Sequence, residues 1–216
     1  LIKKNTKFFH ETYGLFPTPL ASFDFSHILT TDNLNYAKKI LEDYEKNMGN
    51  VTSKNGFVLE LPQLVELKNF VNESLDIFMK EIVGSANAKV GVTQSWLNLT
   101  KKGEFHHQHS HANSIFSGVM YLHTSENDRI VFSRPIGQNS SYFLEVNSYN
   151  NFNSETWWMP ASLNKMYIFP SWLRHEVPAI DTDERISLSF NTLPLSGFGT
   201  YTSKTFMPSL EWKNEL

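Results

Sequence analysis

The chain has 216 residues, enough to bury a self-sufficient core, and 40% of them are hydrophobic and 14% aromatic, so neither a disordered tract nor a disulfide-stapled miniprotein fits. Nineteen Lys and Arg stand against 22 Asp and Glu for a net charge of -3, which leaves no basic field to recruit nucleic acid or an anionic membrane. With zero cysteines there are no thiolate sites, so any metal must sit on imidazole and carboxylate; four of the eight His crowd between positions 106 and 111.

No run of eighteen apolar residues is present, so nothing is expected to span a bilayer, and the polar start Leu1-Ile2-Lys3-Lys4-Asn5 has no signal-peptide core. A cytoplasmic, soluble protein is the expectation. In chain order, Leu34, Ala37, Ile40, Leu41 and Tyr44 predict an amphipathic helix from about Asn33 to Met48, with Thr31 or Asp32 as N-cap and Gly49-Asn50 as the stop. A second helix opens at Pro62 and sets Leu64, Leu67, Phe70, Val71, Leu75, Phe78 and Ile82 on one face before Gly84. Beyond Gly84 the pattern changes to short β-rich stretches punctuated by Gly, Pro, Asn and Ser: Lys89 to Leu99, Phe116 to Thr124, Arg129 to Ser133, Tyr142 to Val146, Lys165 to Phe169, Glu176 to Ile180 and Arg185 to Leu193. In Ile186-Ser187-Leu188-Ser189-Phe190 one face is apolar and the other carries small hydroxyls. Gln138 to Pro160, Asn-rich and Trp-bearing, reads as a long hairpin or loop beside a barrel mouth. The expected organisation is one domain over 1–216: helical support in 1–84, a β core in 85–195 and a tail in 196–216.

Phe105-His106-His107-Gln108-His109-Ser110-His111 contains two His-x-His pairs, and on a strand residues i and i+2 share a face, so either pair can chelate one ion. A solvated His-rich loop would look the same. His175 follows in Pro170-Ser171-Trp172-Leu173-Arg174-His175, and Arg185-Ile186-Ser187 comes ten residues later. A facial metal site takes two ligands close in sequence and a third from another strand, leaving the opposite side open; His109, His111 and His175 have that order. Arg185 and Ser187 on one strand point to the same side, where fork and hydroxyl can clamp a carboxylate. The competing reading of Arg185 is a surface residue paired with Asp183 or Glu184.

This order of residues resembles the 2-oxoglutarate and Fe(II)-dependent oxygenases. Leu15-Phe16-Pro17-Thr18-Pro19-Leu20, Trp96-Leu97-Asn98, the His106 to His111 block with Ser117-Gly118-Val119-Met120-Tyr121-Leu122, and Pro170 to Val177 leading to Arg185-Ile186-Ser187-Leu188-Ser189-Phe190-Asn191 are similar to a branch seen in marine bacteria and their phages. The resemblance covers about positions 15 to 191. It implies a mainly β (α+β) fold, a double-stranded β-helix or cupin-like jelly roll with N-terminal helices, which in this superfamily can also mediate homodimers. It implies an oxidoreductase using Fe(II), 2-oxoglutarate and O₂ on a prime substrate the sequence does not identify, with release of succinate and CO₂. His109, His111 and His175 become metal ligands and, with Arg185, the catalytic set; Arg185 and Ser187 take the distal carboxylate of 2-oxoglutarate, with Tyr121 and Asn98 also in the cosubstrate pocket. His111 departs from the family pattern, which has Asp or Glu there: either a third imidazole ligates, or a two-His site remains, as in halogenating relatives. Phe116, Trp96, Trp172, Trp157 and Trp158 are candidates to line the pocket.

Two other readings are open from the residues. A cupin shares the fold, and Gly103, His109, His111, Gly118, Pro170 and His175 match part of its motifs, but Ala112 to Phe116 lack its Glu and it has no need of Arg185-x-Ser187. A non-catalytic ligand-binding jelly roll would leave the histidines incidental.

Overall fold

The computed structural model describes residues 11–85, 88–135, 145–181, 183–195 and 197–208. Helix α1 spans Thr31–Ile40 and is capped by Thr30, whose side chain accepts from the Asn33 N–H while the Asn33 side chain accepts from the Thr30 N–H. The cap thus falls one residue before the expected Thr31. The helix also stops well short of Met48, because Tyr44–Lys46 forms an exposed strand, β2, paired with β3, Val51–Ser53. Tyr44 keeps the helical spacing in sequence but has no apolar surface to bury against.

The turn joining β2 to β3 grips the chain ahead of the histidine block. The Asn47 N–H donates to the Asn50 carbonyl at 3.0 Å and the Phe105 N–H to the Gly49 carbonyl at 3.0 Å. Gly49 has φ +93°, and a Cβ there would lie 2.5 Å from the Phe105 oxygen, so both conformation and approach require glycine.

A 3₁₀ turn over Pro62–Leu64 leads into α2, Val65–Ile77, which ends in a π-helical turn, Phe78–Ile82. Leu64, Leu67, Val71, Leu75 and Phe78 are fully buried on one face as their spacing predicts. Ile82 is not, since the wider π turn shifts the register of the face and leaves it 45% exposed.

Nine further strands complete two sheets: β1 Ala21–Asp24, β4 Val90–Lys101, β5 His106–His109, β6 Phe116–His123, β7 Arg129–Ser133, β8 Thr156–Pro160, β9 Lys165–Pro170, β10 His175–Val177 and β11 Glu184–Pro194. The larger sheet has the order β1-β9-β6-β11-β4-β3-β2 and the smaller β5-β10-β7-β8. The eight strands from β4 to β11 cross between the sheets in the manner of a double-stranded β-helix, except that β7 and β8 follow one another in the smaller sheet, and the helices lie on the outer face of the larger sheet.

Strand β11 is the central wall, paired along its length with β4 and over much of it with β6. Its Ile186, Leu188 and Phe190 join the core under the helices, while Arg185, Ser187 and Ser189 face the space between the sheets. A second apolar cluster, including Val119, Tyr121, Phe132, Tyr167 and Phe169, fills the rest of that space. The expected strand at Glu176 to Ile180 ends at Val177, before Pro178, which has no N–H to give a ladder. Of the strand expected at Tyr142 to Val146, residues 142–144 lie outside the described residues, and Glu145 and Val146 are not in a strand. Part of the loop expected at Gln138 to Pro160 is strand β8.

Candidate metal centre

Strands β5 and β10 are antiparallel neighbours, and their register sets His109 directly across from His175. His111 follows the end of β5, fixed by donation of its N–H to the Ser171 carbonyl at 2.9 Å. One ring nitrogen from each of His109, His111 and His175 lies within 4.8 Å of the other two. The Nδ1 of His109 is 2.8 Å from the His107 carbonyl and that of His175 is 2.9 Å from the Leu173 carbonyl. A carbonyl can only accept, so each Nδ1 carries the hydrogen and each Nε2 keeps its lone pair for a metal. The Nε2 atoms of His111 and His175 stand 3.3 Å apart, two potential ligands turned to one point.

Electrostatics suit the same role. Burial, then the neighbouring His109, pushes His111 down to about 4, and burial is also the first cause of the lowered His109 and the strongly lowered His175. Neutral imidazoles are what a divalent ion needs. In the metal-free protein these groups refuse protons that the unfolded chain takes up near its ordinary 6.5, so the unfolded state binds more protons and stability falls as pH drops below that value. The thermal midpoint of chelator-treated protein is expected to decline steadily from pH 7 toward pH 4. A flat midpoint over that range would contradict it.

The opposite end of the cavity belongs to the larger sheet. Arg185 is only 2% exposed; Nη2 donates to Thr100 Oγ1 at 3.1 Å, and Nη1, though buried, has no partner among the described residues. Neither Asp183 nor Glu184 pairs with it among the described residues: Glu184 holds Lys38 at 2.6 Å. Burial lowers Arg185 from its ordinary value, opposed by Tyr121 and Asp128, yet a guanidinium keeps its proton. The Tyr121 hydroxyl is likewise buried without a partner, and burial raises it. Asn98 donates Nδ2 to Ser189 Oγ at 3.0 Å and leaves Oδ1 bare. Inverting that amide lets Ser189 donate to Oδ1 and turns Nδ2 into the cavity.

Buried donors left without acceptors are costly, and a dianion is the ligand that relieves them. The donor set therefore fits 2-oxoglutarate at this end and a divalent ion on the imidazoles at the other. Ser187 and Asn98 stand across from one another in register, and both line the cavity with Tyr121 and Arg185. The free space is about 30 Å³, room for one or two waters.

Of the aromatic candidates, Trp96 lines the cavity, its ring 5.9 Å from His111. Phe116 packs on Phe78 beneath the helices, and Trp172 is 55% exposed. Trp157 lines a separate groove of about 750 Å³ with Tyr13, Phe16, Phe152 and Leu173, and Trp158 faces another hollow. His106, which the sequence offers, like His107, only as a supporting or bystander residue beside the ligands, lines the metal cavity, as do Ser189 and Gly118. Serine 189 was signalled by the same i, i+2 alternation that joined Arg185 to Ser187.

Three imidazoles at one end of a double-stranded β-helix and a buried arginine on its eighth core strand fit a metal-dependent oxygenase that uses a diacid. A family model described as "Putative 2OG-Fe(II) oxygenase" matches residues 94–191. That stretch covers most of the β core, and the fold and the His109/His111/His175 site match a non-haem Fe(II), 2-oxoglutarate-dependent oxygenase mechanism. No curated protein matches the sequence.

Solved structures share the fold at low identity. A Burkholderia pseudomallei oxidoreductase of the 2OG-Fe(II) oxygenase family superposes with TM-score 0.55 and 15% identity, over 80% of this chain and 83% of that one. A Pseudomonas putida prolyl-4-hydroxylase gives 0.54 and 13%, over 81% and 92%. SnoN, a non-heme alpha ketoglutarate dependent epimerase from nogalamycin biosynthesis, gives 0.60 and 10%, over 85% and 79%. No helix among the described residues is long and apolar enough to cross a membrane.

Proposed function

We propose that the protein is a dioxygenase that hydroxylates a C–H bond of its prime substrate, with His109, His111 and His175 holding the iron and Arg185 and Ser187 holding the distal carboxylate of 2-oxoglutarate. Tyr121 and Asn98 complete the cosubstrate pocket. The observation that carries this reading is the partnerless Nη1 of Arg185 in the same cavity as the three imidazoles. When bound, iron and cosubstrate supply O₂-dependent decarboxylation of 2-oxoglutarate to succinate and CO₂, with the second oxygen atom going to the substrate.

The chain's own work is to hold and exclude. The His107 and Leu173 carbonyls fix the ring orientations of His109 and His175. Arg185 anchors the cosubstrate on a strand that cannot shift without both neighbours, and Phe169, Val119 and Ile130 keep water from the cavity floor. The groove bearing Trp157 adjoins the metal through Leu173 and Phe132, whose ring lies 5.9 Å from His175, and is suited to the prime substrate. Within the superfamily, the motifs support the branch of marine bacteria and their phages, and a ferrous site suits the reducing cytoplasm.

The test is anaerobic addition of Fe(II) and then 2-oxoglutarate. A visible charge-transfer band and a rise in thermal midpoint with the second addition are expected, followed by succinate formation on admitting O₂. Retained iron with no response to 2-oxoglutarate would overturn the reading in favour of a cupin-type enzyme.

A further inference from the structure

We infer that His106 is a cosubstrate-binding residue, donating a hydrogen bond from Nδ1 to a carboxylate oxygen of bound 2-oxoglutarate; this rests on the functional reading above. His106 lines the same cavity as the three imidazoles and Arg185. Its ring stacks on His109, with centroids 4.4 Å apart and planes 19° from parallel.

Its orientation is fixed from behind. Asn47, in the turn between β2 and β3, brings Nδ2 to 3.2 Å from His106 Nε2 and 3.0 Å from Asn50 Oδ1. A primary amide has two hydrogens, and this one gives one to each acceptor. With the amide so oriented Nε2 accepts and the ring hydrogen sits on Nδ1, the tautomer on which the inference stands. Nδ1 has no hydrogen-bond partner among the described residues, and the cavity that the ring lines also holds Arg185, Tyr121 and Asn98. The same turn holds the adjoining backbone through the Phe105 N–H, so the ring is seated and not a solvated bystander.

A purely structural His106 would need only Nε2, to tie the turn to β5. The two roles use different nitrogens, and amide side chains separate them: Asn carries its amide near the position of Nδ1, Gln near that of Nε2. His106→Phe keeps a ring on His109 but removes both polar atoms. With Fe(II) content measured first and 2-oxoglutarate then titrated anaerobically, the Phe and Gln variants are expected to bind it about 10- to 100-fold more weakly, as for loss of one charge-assisted hydrogen bond. Iron content should be unchanged, and His106→Asn should recover most of the affinity.

Wild-type affinity in His106→Phe, recovery by Gln and not Asn, or parallel loss of iron would each overturn the inference. If the Phe variant does not fold, the Asn and Gln pair decides. Failure of the wild-type protein itself to bind 2-oxoglutarate would instead defeat the functional reading.

Discussion

Replacing His175 with alanine is expected to strip the protein of iron while leaving it folded. His175 is 5% exposed and stands opposite His109, so no surface side chain can swing in to replace it. Losing a residue that merely supports a ligand costs about 10- to 100-fold in metal affinity, and losing a ligand should exceed that range. The ring also packs edge-on against Phe169, 4.9 Å away, so about 1 to 3 kcal/mol of stability goes with it. Metal analysis after gel filtration gives the first quantity and thermal denaturation the second. An unchanged iron content would sink the three-imidazole assignment, and loss of the folded state would show that the ring is chiefly a core residue.

The second large effect is expected at Arg185. Arg185→Ala should weaken 2-oxoglutarate by about 100- to 1,000-fold, the range for removing one partner of a buried, hydrogen-bonded charge pair. Iron should be retained, because the ligands come from β5, β10 and the residues just after β5, not from β11. Lysine restores the charge but not the planar fork, so it keeps neither the Thr100 contact nor Nη1 in the same geometry. Partial recovery is the expected outcome for Arg185→Lys, read as the 2-oxoglutarate concentration giving half the thermal shift. Equal loss of iron and cosubstrate in Arg185→Ala would mean that the residue holds the sheet together instead.

What was legible in the sequence follows from which contacts are local. The face of α2 and the alternation of β11 are periodic in sequence because each meets one continuous apolar layer. The grouping of His109, His111 and His175 was readable from spacing, since a facial site recruits two near ligands and one far. The early end of α1 was not, because Tyr44–Lys46 is exposed and its pairing with β3 is decided by a Gly49 turn that presses on Phe105. His106 was missed for the same reason: the group that orients it, Asn47, lies 59 residues away and belongs to no motif. Phe116 was a candidate for the pocket because side-chain type does not say which face of a strand it takes; opposite Phe78, it belongs to the helix side.

The two ends of the site rest on unequal supports. Arg185 belongs to an eleven-residue strand sandwiched between β4 and β6, whereas the metal strands β5 and β10 have four and three residues and lie in the smaller sheet. Local opening is cheapest where few hydrogen bonds must break, so amides of β5 and β10 should exchange through partial unfolding and those of β11 only when the whole domain opens. Bound iron would then staple these two short strands together, and the apo protein is expected to be a folded chain whose metal strands open first. If Arg185 holds the cosubstrate as proposed, that grip should outlast the metal site, and loss of iron should be a reversible, subglobal event.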